Sequence, residues 1–508
     1  MISIDKKITC EQFCGIVFRD EALELSQQVL TQVEESHTFL KSFAAGRVIY
    51  GVNTGFGPMA QYRIQDEDRH ALQYNLIRSH AAGTGELLSP LQVKATMLTR
   101  LSNLSKGKSG VHVSVLNLLK ELINHDVTPL IFAHGGVGAS GDLVQLAHLA
   151  LVLIGEGEVL YKGLRRPTEE VFSELGLKPI VVVVREGLSL INGTSAMTGI
   201  GLVNHAYATK LLDWSIWLSC AMNEIVKAHD DHYSETLNAV KEHAGQQELA
   251  ARMREHLADS QLIKTREEDL YSGNNQEEIF KDKVQEYYSL RCVPQILGPV
   301  LDTIRQVGEV LERELNSVSD NPIISVEDQN VYHGGNFHGD YVSLEMDKLK
   351  LAITRLTMLS ERQLNYLMNA KINELLPPFV NMGKLGFNFG MQGAQFTATS
   401  TTAENQTLSS SMYVHSIPNN NDNQDIVSMG TNAALLANRV IENAFEVLAV
   451  QIIAVRQAID ILNYQNFVSS KTKEVYEEIS RIIPAFVEDK PLYPAIEQVK
   501  GYLMSMDR

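Results

Sequence analysis

The stretch Gly135-Gly136-Val137-Gly138-Ala139-Ser140-Gly141-Asp142-Leu143 decides how the rest of the chain is read. Gly136, Gly138 and Gly141 satisfy the spacing G-x-G-x-x-G, and an apolar run over residues 143–154 follows at once. Glu156 and Glu158 stand roughly 20 residues downstream, where a dinucleotide-binding fold holds its ribose-binding acid. That fold needs several alternating strands and helices, and this chain supplies neither the strands nor the alternation.

A different chemistry is written in the three small residues Ala139-Ser140-Gly141. Small side chains let the backbone bend until the Gly141 nitrogen attacks the Ala139 carbonyl. Cyclisation with loss of two waters, one of them from the Ser140 hydroxyl, leaves a methylidene-imidazolone ring with an electron-poor exocyclic carbon. No free side chain is an electrophile of that kind. The plain alternative for the same residues is a helix N-terminus capped by Ser140 or Asp142.

The nine-residue stretch resembles the cofactor loop of the histidine, phenylalanine and tyrosine ammonia-lyases and related aminomutases, and further matches follow in that family's chain order. Tyr50-Gly51-Val52-Asn53-Thr54-Gly55-Phe56-Gly57 is similar to the loop whose tyrosine removes the β-proton. A phenol, with an unperturbed pKa near ~10, becomes a useful base beside a cationic or electrophilic group. Asn192-Gly193-Thr194 resembles the segment whose asparagine hydrogen-bonds the ring system or the substrate carboxylate, although an Asn-Gly pair also makes a helix cap. Gln285-Glu286-Tyr287-Tyr288-Ser289-Leu290-Arg291-Cys292 is similar to the stretch that brings a second tyrosine and an arginine into the site. On that match Tyr288 assists proton transfer and Arg291 clamps the substrate carboxylate in a planar fork; otherwise Arg291 is an ordinary surface ion pair. Ser319-Asp320-Asn321-Pro322 and Gly334-Gly335-Asn336-Phe337-His338-Gly339 match as well, with Phe337 lining the pocket. The resemblance implies that Gln285, Asn420 and Gln424 also contact substrate.

Substrate choice is written in two places that disagree. Leu76-Ile77-Arg78-Ser79-His80-Ala81-Ala82-Gly83 covers the family's selectivity stretch, and its Ser79-His80 pair is of the histidine-lyase type. Asn423-Gln424-Asp425 carries glutamine where histidine lyases have glutamate. An imidazolium substrate gains from an acidic neighbour, so Gln424 disfavours histidine, while His80 can exchange a hydrogen bond with a phenol. The nearest resemblance of the whole chain is to bacterial tyrosine ammonia-lyases. It implies elimination of ammonia from L-tyrosine to trans-p-coumarate, with a histidine lyase giving urocanate, or a tyrosine 2,3-aminomutase, as the alternatives. A catalytically retired relative would have no chemical need for Ala139-Ser140-Gly141, Tyr50 and Arg291 together.

Outside these loops helical periodicity dominates. Leu349, Ile353, Leu356 and Leu359 follow spacings of four and three, as do Leu448, Ile452, Val455, Ile459 and Leu462, so both stretches read as long helices with a wide buried face. Strand signals are short: residues 180–184, and the pair 323–326 and 331–333 around an Asp-Gln-Asn turn. The expectation is a mainly α protein with an N-terminal cofactor-loop domain over residues 1–200 and a long-helix body over 201–508. The resemblance implies the fumarase/aspartase-like ammonia-lyase architecture, assembled as a homotetramer in which each active site draws on three subunits.

Composition narrows the partners. A chain of 508 residues with a formal net charge of -17 lacks the basic face that nucleic acid or an anionic membrane requires. Four cysteines in so long a chain fit a reducing compartment, and Cys10 and Cys14 lack the spacing and companion histidines of a zinc site. No secretory leader or membrane span is legible at the start of the sequence or in residues 143–154. We expect a cytoplasmic enzyme that acts on a small aromatic amino acid and needs neither metal nor nucleotide.

Overall fold

The computed structural model describes residues 1–5, 7–45, 47–183, 185–271, 278 and 284–505. Helix accounts for 59% of the described residues and strand for 8%, which makes the architecture mainly α. The chain forms two compact units interleaved in sequence: unit 1 comprises Met1–Ala206, Val307–Asp347 and Ser411–Asn438, and unit 2 comprises Tyr207–Gln306, Lys348–Ser410 and Arg439–Arg508.

Unit 1 is built around helix Pro90–Ser105, which is buried along nearly its whole length. Ser89 starts it with a reciprocal cap, its hydroxyl accepting from the Gln92 N–H at 3.3 Å while Gln92 Oε1 accepts from the Ser89 N–H at 3.0 Å. Pro90 occupies the first helical position, where no N–H is required. Helix Val113–Asn124 packs on it and buries Val115, Leu118, Leu119 and Leu122, an apolar stripe at helical spacing.

Three helices then set the frame for the glycine-rich loop. Leu143–Leu153, which follows the loop directly, packs against Arg69–His80 and Glu186–Ile191, and those two pack against each other. The Ser79-His80 pair and Asn192 are thus carried at the ends of helices that touch the helix of the loop. On its other side the loop is fed by strand Phe132–His134, paired antiparallel with Thr84–Leu87.

The hairpin expected near residues 323–333 is present as Ile323–Ser325 and Asn330–Tyr332, with Ile324 opposite Val331. The strand expected over 180–184 is not. Residues 180–183 are irregular, and Val184 lies outside the described residues. Their N–H groups are taken by other partners: Ile180 donates to the Leu153 carbonyl, Val182 to the Tyr74 hydroxyl and Val183 to the Glu186 carboxylate. A β-branched run whose donors are satisfied singly has no ladder to join.

Unit 2 holds most of the long helices Asp340–Met368 and Gly430–Leu462, and the apolar repeats read from the sequence lie on them. Leu349, Ile353, Leu356, Leu359, Leu448, Ile452, Val455 and Ile459 are all buried. Polar residues in the same interior pair with one another, Gln363 Nε2 donating to Ser219 Oγ and Gln451 Nε2 to Gln363 Oε1, both at 2.9 Å. Such pairing offsets the desolvation that an isolated amide would suffer. Among the described residues no helix is long and apolar enough to cross a membrane.

Candidate functional site

Between strand Phe132–His134 and helix Leu143–Leu153 the backbone reverses within a few residues. Ser140 has φ 58° and Gly138 and Gly141 both have φ 79°, the left-handed region that side chains disfavour. Gly138 and Gly141 face each other as bridge partners, so the chain doubles back across Ala139 and Ser140. On the outer side Gly141 bridges to Gly193: the Gly193 N–H donates to the Ser140 carbonyl at 3.2 Å and the Asp142 N–H to the Gly193 carbonyl at 2.8 Å. A Cβ on Gly141 would stand 2.1 Å from the Gly193 carbonyl oxygen, and one on Gly138 would stand 2.2 Å from Ser428 Oγ. Ala139 is held from below by Val427 and Met429 in a small buried cluster. A reversal that admits no side chain at its two ends, and that turns one small residue on the next, fits the ring expected from residues 139–141.

Asp142 is buried and acts at a distance as the cap of another helix. Its Oδ2 accepts from the N–H groups of Ala196 and Met197 at 2.8 and 2.9 Å, at the start of Ser195–Ile225, and Thr431 donates to its Oδ1 at 2.5 Å. Burial raises its carboxyl to about 6, while the hydrogen bonds from Thr431, Met197 and Ala196 act in the opposite sense. The end of the loop is therefore tied to the helix that follows Asn192.

Asn192 is fixed from behind by charges. Its Nδ2 donates to Asp320 Oδ1 at 2.9 Å, and the same oxygen takes Arg185 at 2.9 Å and the Asn321 N–H at 2.7 Å. Arg185 and Asp320 have no exposed side-chain surface, so the pair is kept together by the cost of leaving either charge alone. Arg100 donates to the Ser189 carbonyl beside them, and burial brings its guanidinium down to about 10.

Tyr50 and Gln424 approach the loop region from two other segments. The Tyr50 hydroxyl accepts from the Gly57 N–H at 3.1 Å, and its ring meets Phe56 edge-on with centroids 6.1 Å apart. A Cβ on Gly57 would lie 2.6 Å from Asn420 Nδ2, so the tyrosine loop and the Asn-rich loop touch there. Asn420, Asn421 and Asp422 all have positive φ, between 52° and 58°, and the loop closes as a bridge between Asn419 and Gln424. From that bridge Gln424 Nε2 donates to Ser140 Oγ at 3.2 Å. Phe337 is half-buried, and its neighbours reach the same segment: His338 Nε2 lies 3.3 Å from the Ile426 carbonyl.

Unit 1 therefore brings Ser140 and Gln424 into direct contact, ties Asn192 to the loop through Gly193, and brings the Gly57 end of the Tyr50 loop against Asn420. Ser79 and His80 are engaged with the last turn of their own helix, Ser79 Oγ donating to the Leu76 carbonyl at 3.1 Å and His80 Nδ1 lying 2.9 Å from the same oxygen. Tyr288, Arg291 and Gln285 belong to unit 2. There Tyr288 and Arg291 share one short helical turn, with the guanidinium 4.8 Å from the ring centroid, and Gln285 is exposed.

The two acids that made the dinucleotide reading attractive have other work: Glu156 pairs with Arg78 at 2.6 Å, and Glu158 pairs with Arg165 across a hairpin. Sequence reasoning quoted Asp142 and Asp320 without giving them these tasks, and it passed over Arg100 and Arg185. The available signal was charge in the wrong place, since Arg100 stands in a helix with no exposed face. Among the described residues no group of three or more His, Cys, Asp or Glu is arranged to hold a metal ion.

Comparison with known proteins places this geometry in context. The profile of the aromatic amino acid lyase family matches residues 8–481. A tyrosine 2,3-aminomutase of Chondromyces crocatus is 39% identical over 495 residues, covering 96% of this chain and 93% of that protein. A histidine ammonia-lyase of Geobacillus sp. (strain WCH70) is 38% identical over 501 residues, covering 98% and 96%. The solved structure of a tyrosine aminomutase from Streptomyces globisporus superposes with a TM-score of 0.94 at 34% identity, over 99% of this chain and 96% of that one.

Proposed function

The chain belongs to the aromatic amino acid lyase family, and from that premise we propose that it eliminates ammonia from L-tyrosine to give trans-p-coumarate. Ala139, Ser140 and Gly141 would form a methylidene-imidazolone, which would supply an electrophilic carbon that no side chain offers. The chain's own residues do the rest. Tyr50 takes the β-proton, its oxygen directed by the Gly57 N–H. Asn192, held by Asp320, presents its amide to the reacting group. Tyr288 assists proton transfer and Arg291 grips the substrate carboxylate in a fork. Phe337, Asn420, Gln285, Ser79 and His80 complete the substrate contacts, in a cytoplasmic homotetramer.

The observation that carries the substrate choice is the position of the Gln424 amide beside residue 140, 3.2 Å from the Ser140 Oγ that ring closure would expel as water. A neutral amide beside the loop gives an imidazolium ring no compensating charge, whereas a phenol can exchange a hydrogen bond with neutral donors and acceptors. A second reading, a tyrosine 2,3-aminomutase that re-adds ammonia at the β-carbon, draws support from the relatives that carry that name. Purified protein incubated with tyrosine, phenylalanine and histidine in turn should release ammonia and p-coumarate from tyrosine fastest. Accumulation of β-tyrosine instead makes it an aminomutase, and preferential formation of urocanate overturns tyrosine as substrate.

A further inference from the structure

We propose that Glu286, clamped between His229 and His232, is a positioning residue that sets the direction of the Arg291 guanidinium. The inference rests on the assignment of Arg291 to the substrate carboxylate.

All the residues concerned lie in unit 2. The Glu286 side chain is 8% exposed. Its Oε1 accepts from the His229 backbone N–H and lies 3.0 Å from His229 Nδ1, and its Oε2 lies 2.8 Å from His232 Nε2. His229 is held in turn from its far side, with Nε2 3.0 Å from Asp269 Oδ2, and Lys264 Nζ sits 3.0 Å from the other oxygen of that carboxylate. Both ring nitrogens of His229 thus face carboxylates. Two buried imidazoles converging on one carboxylate is a costly arrangement for a residue with no further task.

The task is visible one peptide away. The Glu286 carbonyl accepts from Arg291 Nε at 3.0 Å, while the guanidinium lies over the Tyr288 ring at 4.8 Å. The ring contact and the Nε bond hold the guanidinium from two sides, so together they direct the fork that would meet a carboxylate. The intervening turn Tyr288–Arg291 is only four residues long and cannot hold that direction by helix cooperativity alone. Gln363 steadies it by donating to the Ser289 carbonyl at 2.9 Å. Fixing the Glu286 carboxylate fixes the carbonyl on which Arg291 turns.

The test uses the full-length protein and two competitive inhibitors: p-coumarate, which has a carboxylate, and tyramine, which lacks one. Glu286→Gln should raise KM for tyrosine and Ki for p-coumarate by about ten- to a hundredfold, with kcat and the Ki for tyramine changed by no more than about threefold. His232→Gln should reproduce the pattern more weakly, and it decides the matter if Glu286→Gln loses the two-water mass deficit over residues 139–141 that reports a properly folded chain. Arg291→Ala is measured in parallel. If it weakens p-coumarate binding while both other variants leave it unchanged, positioning by Glu286 is overturned. If Arg291→Ala itself has no effect on p-coumarate, the role of Arg291 falls and the inference with it. A general loss that includes tyramine binding also refutes the proposal, since a merely structural defect would not single out the carboxylate.

Discussion

Replacing Gly141 by alanine puts the geometry of the loop to a quantitative test. The added Cβ would lie 2.1 Å from the Gly193 carbonyl oxygen and 2.4 Å from its carbon, at a residue whose φ is 79°. Carbon and oxygen normally approach no closer than about 3.4 Å, so the strand of Gly193 has to retreat by more than an ångström. That retreat breaks the bonds from Asp142 N–H to Gly193 O and from Gly193 N–H to Ser140 O, now 2.8 and 3.2 Å long. Each is worth about 1 kcal/mol net, and the left-handed backbone costs an alanine a further 1–2 kcal/mol, so the local loss is about 3–4 kcal/mol. In the proposed ring closure Gly141 also provides the nitrogen that reaches the Ala139 carbonyl, and a displacement of this size would remove it from attack distance. Mass spectrometry of the peptide spanning residues 139–141 should therefore show no two-water loss in Gly141→Ala, as in Ser140→Ala. Gly176→Ala is the matched control: φ there is 68°, nothing lies within 4 Å of the added Cβ, and only the backbone strain should appear, with the two-water loss intact. A Gly141→Ala protein with the full mass deficit and normal activity would falsify the account of the loop.

Tyr50→Phe should keep the two-water deficit yet abolish turnover; activity equal to the wild type removes Tyr50 from the chemistry. Gln424→Glu places a carboxylate beside Ser140 and should raise the specificity constant for histidine relative to tyrosine by about ten- to a hundredfold, the worth of one hydrogen bond to a charged group. No shift in that ratio shows that residue 424 does not discriminate. Asp142, raised by burial to about 6 from its ordinary 3.8, holds its proton more tightly in the native chain than in the unfolded one. Its contribution is fully present below about pH 4 and is lost as pH rises through 6, roughly 3 kcal/mol in all, so Asp142→Asn should flatten the stability profile in that window. An unchanged slope in urea unfolding across those pH values contradicts the buried-acid reading.

Much of this was legible in the chain because local rules suffice for it. The repeats Leu349 to Leu359 and Leu448 to Leu462 follow helix geometry, which depends on near neighbours in sequence, and all but the half-buried terminal Leu462 emerge on buried helix faces. The hairpin at 323–332 was legible for the same reason, its turn being set by adjacent residues. The run at 180–183 shows the limit. Its β-branched residues match a strand, yet whether a strand forms depends on a partner, and here the Leu153 carbonyl, the Tyr74 hydroxyl and the Glu186 carboxylate took the donors first.

For the site the division is similar. Small residues at 139–141 announce a backbone that can cyclise, and that chemistry is a property of three consecutive residues. What supports the loop comes from far away in sequence: Gly193 closes its outer side, Ser428 leaves no room at Gly138, and Gln424 reaches Ser140 Oγ. Asp142, Asp320, Arg185 and Arg100 are ordinary charged letters in a sequence, and only burial gives them meaning. In water each would be solvated and inert; enclosed, each must find a partner, and the partners they found are Asn192, the start of the helix that follows it, the Ser189 carbonyl, and one another. The chain by itself determined that its architecture is mainly α and where its long helices run, because those follow from bonded neighbours and periodicity. The tertiary structure alone decided which distant residues hold the loop and in what charge environment, because burial and pairing exist only once the chain has folded.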